Sequence, residues 1–351
     1  TTHDLLISAT VPSSTGYTNQ FQNIGQTSNH GLEVSLNTVL IEKRDFNLSA
    51  TFNIGFNRNR IDKLGETKRW EQSTGWAGAD GPTGDYLIDE GGRVGLMYGY
   101  ETHPDRMYSF DDFTYENGNY TLKEGVANNR QLLNSKWFRP GTLKFVDQNG
   151  DGVVEAANDK VVIGDANPKH TGGFNLTAQY KNLDLSAFFN WVYGNDIYNA
   201  NKLNFSNYWG GRLYKNLLGD MNSENRFTNI SKETGLVVND PAELAEMNKN
   251  AKYWSASMTL APLHSWVIED GSFLRLNTLT LGYSLPKALL SKFNIGQLRV
   301  YASGFNLWIW TKYTGYDPEV DSIRSTALTP GVDYNAYPRS RSYNVGLNLT
   351  F

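Results

Sequence analysis

From Phe46 to Phe56 every second residue is apolar: Phe46, Leu48, Ala50, Phe52, Ile54 and Phe56 alternate with Asn47, Ser49, Thr51, Asn53 and Gly55. A period of two belongs to a β-strand, whose successive side chains point to opposite faces. About ten rises of ~3.3 Å, tilted near ~40°, lift such an apolar face through roughly 25 Å, the height of the lipid-facing band on an outer-membrane barrel. The run Leu32, Val34, Leu36, Thr38, Leu40 alternates in the same way just before it, and only 42–45 separates the two. That spacing predicts a hairpin with a short turn.

The unit recurs. Phe174, Leu176, Ala178 and Tyr180 precede Leu183, Leu185, Ala187, Phe189, Trp191 and Tyr193, joined at Lys181 and Asn182. Long polar stretches lie between the hairpins, roughly at 102–170, 194–271 and 311–340. Alternation of short and long connections suits a barrel with tight periplasmic turns and long extracellular loops, whereas a compact soluble domain rarely carries several loops of that length. The reading is an all-β, transmembrane antiparallel β-barrel, with 1–351 as one portion of it. About ten strands are expected, at 2–10, 25–41, 46–58, 84–90, 92–101, 172–181, 183–193, 272–285, 297–310 and 341–351. The apolar phase changes near Asn277, from Leu274 and Leu276 to Leu279 and Leu281, which predicts a β-bulge. Pro286 ahead of Ala288, Leu289 and Leu290 predicts a single helical turn.

Composition agrees with this class. Tyr, Phe and Trp number 20, 17 and 9, Gly numbers 33, and 19% of residues are charged, a balance of aromatic strands and Gly-rich turns. No apolar run approaches the roughly 18 residues of a membrane helix, but a barrel's mean hydropathy conceals its apolar half. A net charge of −4 with no basic run argues against nucleic acid as partner. Zero cysteines exclude a disulfide framework and a cysteine nucleophile. Residues 1–10 carry no signal-peptide pattern, so the chain is expected to begin inside a longer protein.

The expected lipid face carries Phe46, Leu48, Phe52, Ile54, Phe56, Leu185, Phe189, Trp191, Leu347 and Leu349. The last strand alternates Tyr343, Val345, Leu347, Leu349 and Phe351 with Asn344, Gly346, Asn348 and Thr350. Its terminal aromatic, Phe351, resembles the signal read by the barrel-assembly machinery.

Two constellations carry candidate chemistry. Asp147-Gln148-Asn149-Gly150-Asp151-Gly152 places oxygens at positions 1, 3 and 5 and a Gly where a calcium loop bends. The expected ligands of Ca2+ or Mg2+ are Asp147, Asn149, Asp151, the Val153 carbonyl and Asp159. Position 12 is Asn158 and the carboxylate of Asp159 comes one place late, so an Asx-turn loop without metal is the alternative. Loop aromatics form the second set: Trp137, Tyr208, Trp209, Trp254, Trp266, Tyr313 and Tyr316 could stack on substrate or a partner, or simply order the loops. Catalytic spacing is missing: His3, His30, His103, His170 and His264 are scattered, without His-x-x-x-His or Gly-x-Ser-x-Gly. No enzyme is expected.

Ordered phrases along the whole chain resemble the SusC-like (RagA/SusC-type) TonB-dependent transporters of Bacteroidota. They are Asp4-Leu5-Leu6 with 12–16 after it, 29–33 (NHGLE), 52–59 (FNIGFNRN), Tyr98-Gly99-Tyr100, 144–152 (KFVDQNGDG), 162–169 (VIGDANPK), 271–286 (GSFLRLNTLTLGYSLP), Asn306-Leu307, 311–319 (TKYTGYDPE) and the closing Phe. The resemblance implies the C-terminal strands of a barrel of about 22, in the outer membrane of a Gram-negative bacterium. The plug, the TonB-contacting region and the first strands would be absent from this chain. It further implies energised import of an oligomeric glycan or peptide with a SusD-like surface lipoprotein, which would contact 102–170 and 194–271. A structural role in a larger outer-membrane complex, a passive channel and a stand-alone ten-stranded barrel enzyme are the other readings.

Overall fold

The two alternating hairpins become the backbone of one antiparallel sheet. The computed structural model describes residues 1–10, 19–65, 67–76, 84–133, 138–208, 215–258, 260–322 and 326–351, and at 4–10, 19–22, 24 and 293 the backbone alone. Its main sheet runs in chain order: β1 (Thr2–Thr10), β2 (Asn19–Glu42), β3 (Phe46–Lys63), β4 (His170–Tyr180), β5 (Leu183–Tyr193), β6 (Phe273–Ser284), β7 (Gln297–Thr311) and β8 (Ser342–Thr350). Each strand is antiparallel to its sequence neighbour. β1 and β8 are the two edges, so these strands form an open sheet, not a small closed barrel.

The segments 84–90 and 92–101, expected as wall strands, stand outside this sheet. Tyr86–Asp89 and Leu96–Tyr100 join Arg69–Gln72 and Lys160–Asp165 in a separate four-stranded sheet. Tyr86, Leu87 and Ile88 are buried in succession, so protein covers both faces of that strand, whereas a wall strand buries neither face continuously. Among the described residues the main sheet therefore has eight strands where ten were expected.

The connections from β2 to β3, from β4 to β5 and from β6 to β7 lie at one end of the wall. Residues 43–45 join β2 to β3, and 181–182 join β4 to β5, with Lys181 in the left-handed region at φ 53°. Between β6 and β7, Lys287–Leu290 form the expected helical turn, followed by a 3-10 turn that ends at left-handed Asn294. The bulge at Asn277 is present on both sides: register shifts there against β5 and against β7. Opposite it, Asn306 adopts φ 52°, which absorbs the extra residue.

Register turns the alternation into two faces. Leu48, Ala178, Leu185, Leu281, Ala302 and Val345 share one row, and Ser49, Thr177, Ser186, Thr280, Ser303 and Asn344 the next. On the apolar face Phe174 stacks on Phe189 at 4.5 Å and Phe52 on Trp191 at 5.5 Å. A Cβ on Gly172 would lie 2.3 Å from the Trp191 ring and 2.4 Å from the Asn53 carbonyl, so only glycine lets the indole lie flat on the sheet.

At the other end the connections 64–169, 194–272 and 312–341 fold together into a cap. A three-stranded sheet draws Asp196–Asn199 and Ile268–Asp270 from the second connection and Val332–Asp333 from the third. One core cluster includes Tyr86, Met97, Tyr198, Leu263 and Val332; a second includes Leu143, Phe145, Met221, Trp254 and Met258. Residues from all three connections meet in the first cluster, which packs the described parts of these long stretches against one another.

Candidate functional site

The acidic loop closes on itself. Asp147 Oδ1 accepts the Gly150 N–H at 2.7 Å and Oδ2 accepts the Gly152 N–H at 2.8 Å. Asn149 Oδ1 accepts from Asp151 N, and Asp151 Oδ1 from Val153 N, at 3.1 and 2.9 Å. These are successive Asx turns, in which a short side chain satisfies the backbone two or more residues on. The Asn149 amide and the Val153 N–H hold the Asp151 carboxyl below its usual range. Asp159, expected to close a cation shell, is buried, and its oxygens accept from Gln148 N at 2.7 Å and Glu155 N at 2.8 Å. Among the described residues no three Asp, Glu or His side chains converge as metal ligands. A hard cation needs six or more oxygens, and here both Asp159 oxygens already accept backbone N–H groups. The loop's evident work is to pin Val153 beside Asn128, whose carbonyl accepts the Val154 N–H at 3.0 Å.

The loop aromatics divide by position. Trp254 is wholly buried, edge-on to Trp266 with centroids 4.9 Å apart. Tyr313 is buried and donates its hydroxyl to Asp333 Oδ2 at 2.5 Å. Trp266 is half-buried, with Lys202 Nζ 4.1 Å from its ring centre. All three rings make packing or polar contacts within the cap. Tyr208 is half-buried along an extended stretch at 256–258, whereas Tyr316 is 83% exposed. Trp137 and Trp209 lie outside the described residues.

An ion-pair cluster of four side chains links the third connection to the wall. Arg275 projects from β6, and its Nη2 meets Asp317 Oδ1 at 2.7 Å and Glu319 Oε2 at 3.2 Å. Arg339 reaches Glu319 Oε1 at 3.1 Å. Arg275 and Asp317 side chains are only 4% and 8% exposed, so the pair works where water screens it weakly. Both partners sit inside phrases noted above, 271–286 and 311–319, but 42 residues apart, and nothing in a linear pattern joins them.

His264 sits at the centre of the cap, fully buried among Phe145, Trp254 and Trp266. Thr102 Oγ1 accepts the Trp266 N–H at 3.3 Å and lies 2.9 Å from His264 Nδ1. Which of the two donates depends on the imidazole tautomer. Burial, with Lys202 adding to it, pushes the imidazole from 6.5 down to about 3. The folded state thus binds fewer protons than the unfolded one between those values. The contribution of His264 to stability is complete above about pH 6.5 and is lost as pH falls towards 3, with a slope of up to about 1.4 kcal/mol per pH unit. Near-UV circular dichroism during thermal unfolding is expected to show a cap midpoint that falls below pH 6.5. The His264→Leu variant should flatten that limb, and an unchanged limb would remove His264 as its source.

No protein-family model matches the chain. TonB-dependent receptors P3 and P39 of Formosa agariphila are each 31% identical to it over its whole length, and SusC of Bacteroides thetaiotaomicron is 28% identical over the same span. Solved structures of a RagAB peptide transporter and of a RagAB peptide importer in a closed-closed state superpose on 99% of it, with TM-scores of 0.63 and 0.66 at 24% and 25% identity. The chain is SusC-like. It spans about a third of the length of these relatives: 31% of P3, 33% of P39, 29% of SusC and 32% of each RagAB chain.

As part of a SusC-like outer-membrane barrel protein, the eight-stranded sheet acquires an outside and an inside. On the polar face, Ser186 bonds Asn175 at 3.1 Å, Asn277 bonds Asn190 at 3.2 Å, and Thr280 meets Ser303 at 2.8 Å. Near the tight-turn end, Arg299 on β7 makes a two-point contact with Asp184 on β5, 2.9 Å at its Nε and 2.5 Å at its Nη2. It crosses Gly282 on β6, where a Cβ would lie 2.4 Å from the guanidinium. Tyr301 lies likewise over Gly346 on β8. Two glycines in one register row let polar side chains lie along this face instead of projecting from it.

Proposed function

We propose that the protein containing this chain imports an oligomeric nutrient, a glycan or a peptide, through the outer membrane. TonB supplies the energy through a region outside this chain, and a SusD-like lipoprotein closes over the cap. The observation that carries the reading is kinship to TonB-dependent receptors along the entire length of the chain, supported by a wall with one apolar and one polar face. Leu48, Phe52, Ile54, Phe56, Phe189, Trp191, Leu347 and Leu349, with Phe46 and Leu185, face lipid in this reading. Exposed Phe351 would be the residue read by the assembly machinery, and its deletion should lower the amount of protein assembled in the membrane.

The test is uptake. Cells lacking the gene should lose accumulation of one class of labelled oligosaccharide or peptide, and a protonophore should abolish it in cells that have the gene. Accumulation unaffected by both would refute import. An affinity tag should bring down a surface lipoprotein; if that protein still co-purifies after removal of 102–170 and 194–271, those segments are not its contact.

For the acidic loop the reading is a self-capped turn. Adding Ca2+ at about millimolar concentration, where weak extracellular calcium modules load, should leave hydrogen exchange across 147–159 unchanged. Saturable protection that disappears in Asp147→Ala would restore the cation reading.

A further inference from the structure

A cavity of about 450 Å3 opens in the cap between the segment 223–232 and the extended stretch 255–257 with its neighbour Tyr208. Its volume lies in the range of sites that hold a sugar ring or a few amino acids. Its lining has one sign of charge. Arg226 and Lys232 contribute cations, Tyr208, Ser223, Ser255 and Ser257 contribute hydroxyls, and no Asp or Glu lines it. Arg226 forms no ion pair among the described residues, and its Nε is buried without a hydrogen-bond partner. Three other arginines do meet acids: Arg275 meets Asp317, Arg339 meets Glu319, and Arg93 meets Asp165 at 2.9 Å. Lys232 stands at the rim, half exposed, with Glu224 4.0 Å away.

The walls are firm. Asn248 bonds Thr228 through both its N–H and its carbonyl at 2.8 Å, and Phe227 N donates to the Tyr253 carbonyl at 2.8 Å. A half-enclosed guanidinium without an acid partner, held on a rigid wall beside hydroxyl donors, matches the planar acceptor pair of a carboxylate. A buried donor left unpaired is costly, and a ligand that answers it gains that energy on binding.

We propose that this cavity binds a carboxylate group of the imported oligomer, with Arg226 as its principal partner and Lys232 as a second cation at the mouth. The proposal rests on the import reading and narrows it to acidic cargo: a peptide with a free C-terminus, or a uronate-containing glycan. The two share one recognised group.

The test uses the full-length receptor in detergent and isothermal titration with four probes: tetra-alanine, tetra-alanine amide, trigalacturonate and maltotriose. At least one acid should bind about tenfold or more tightly than its neutral counterpart, the size expected of a charge-assisted contact. Which acid it is identifies the source. Arg226→Gln should remove the preference, and Lys232→Met, at an exposed position, should reduce it without touching the fold. Equal or undetectable binding of acids and neutrals, or a preference that survives both substitutions, overturns the proposal. Gene-deletion uptake reads the other question: uptake that never depends on the receptor sinks import while leaving the titration result standing.

Discussion

Arg275→Met is expected to detach the 312–341 connection from the wall at a cost of about 3–5 kcal/mol, the usual penalty for leaving one partner of a buried pair alone. Asp317 would remain almost enclosed with its countercharge gone, and Glu319 would keep only Arg339. Hydrogen exchange should accelerate across 312–341 while amides of β4 and β5, paired without a register shift, stay protected. Arg275→Lys should recover part of the loss, because a point charge keeps the attraction but not the planar fork. The combined Arg275→Met, Asp317→Leu variant should be more stable than Arg275→Met alone, since it removes the stranded carboxylate. If the single variant exchanges like the parent, the ion pair does not anchor the loop.

Trp254→Ala should cost a similar amount, about 3–5 kcal/mol, by emptying the middle of the cap. The indole is completely buried against Trp266 and His264, and its N–H has no partner. All its value is therefore in packing. Trp254→Phe should lose much less, because a ring remains and no hydrogen bond is given up. The readout is the near-UV dichroism midpoint of the cap, and a midpoint unmoved by Trp254→Ala would mean that the ring is not part of a cooperative core. The polar stretch around Trp254 gives no sign of this burial. Composition of its neighbours says nothing about which distant segments close over it.

Legibility followed the range of the interaction. The hairpins, the turns at 43–45 and 181–182, the phase slip at Asn277 and the helical turn after Pro286 were readable, because each is written in residues that touch their own near neighbours. Strand ends were less so: β2 and β3 continue past the expected 25–41 and 46–58 to Asn19 and Lys63. There the second half of the ladder is supplied by β1 and the cap. The run 84–101 looked like wall because it is strand, and it is strand, but its sheet is another one. Tyr86-Leu87-Ile88 carried the distinction, being continuous where a wall strand alternates. The bonds of Asp159 to the Gln148 and Glu155 amides were equally hidden, since spacing counts oxygens but not the direction in which they point.

By itself the sequence determined a wall: a period of two, held long enough to cross a lipid layer, commits one face to apolar surroundings and the other to polar ones whatever the rest of the chain does. Only the tertiary structure decided what stands on top of it. Arg275 finding Asp317, His264 losing its proton and Arg226 being left without an acid all depend on three long connections packing together, and packing is settled by shape and burial between segments tens of residues apart, for which linear order carries no record.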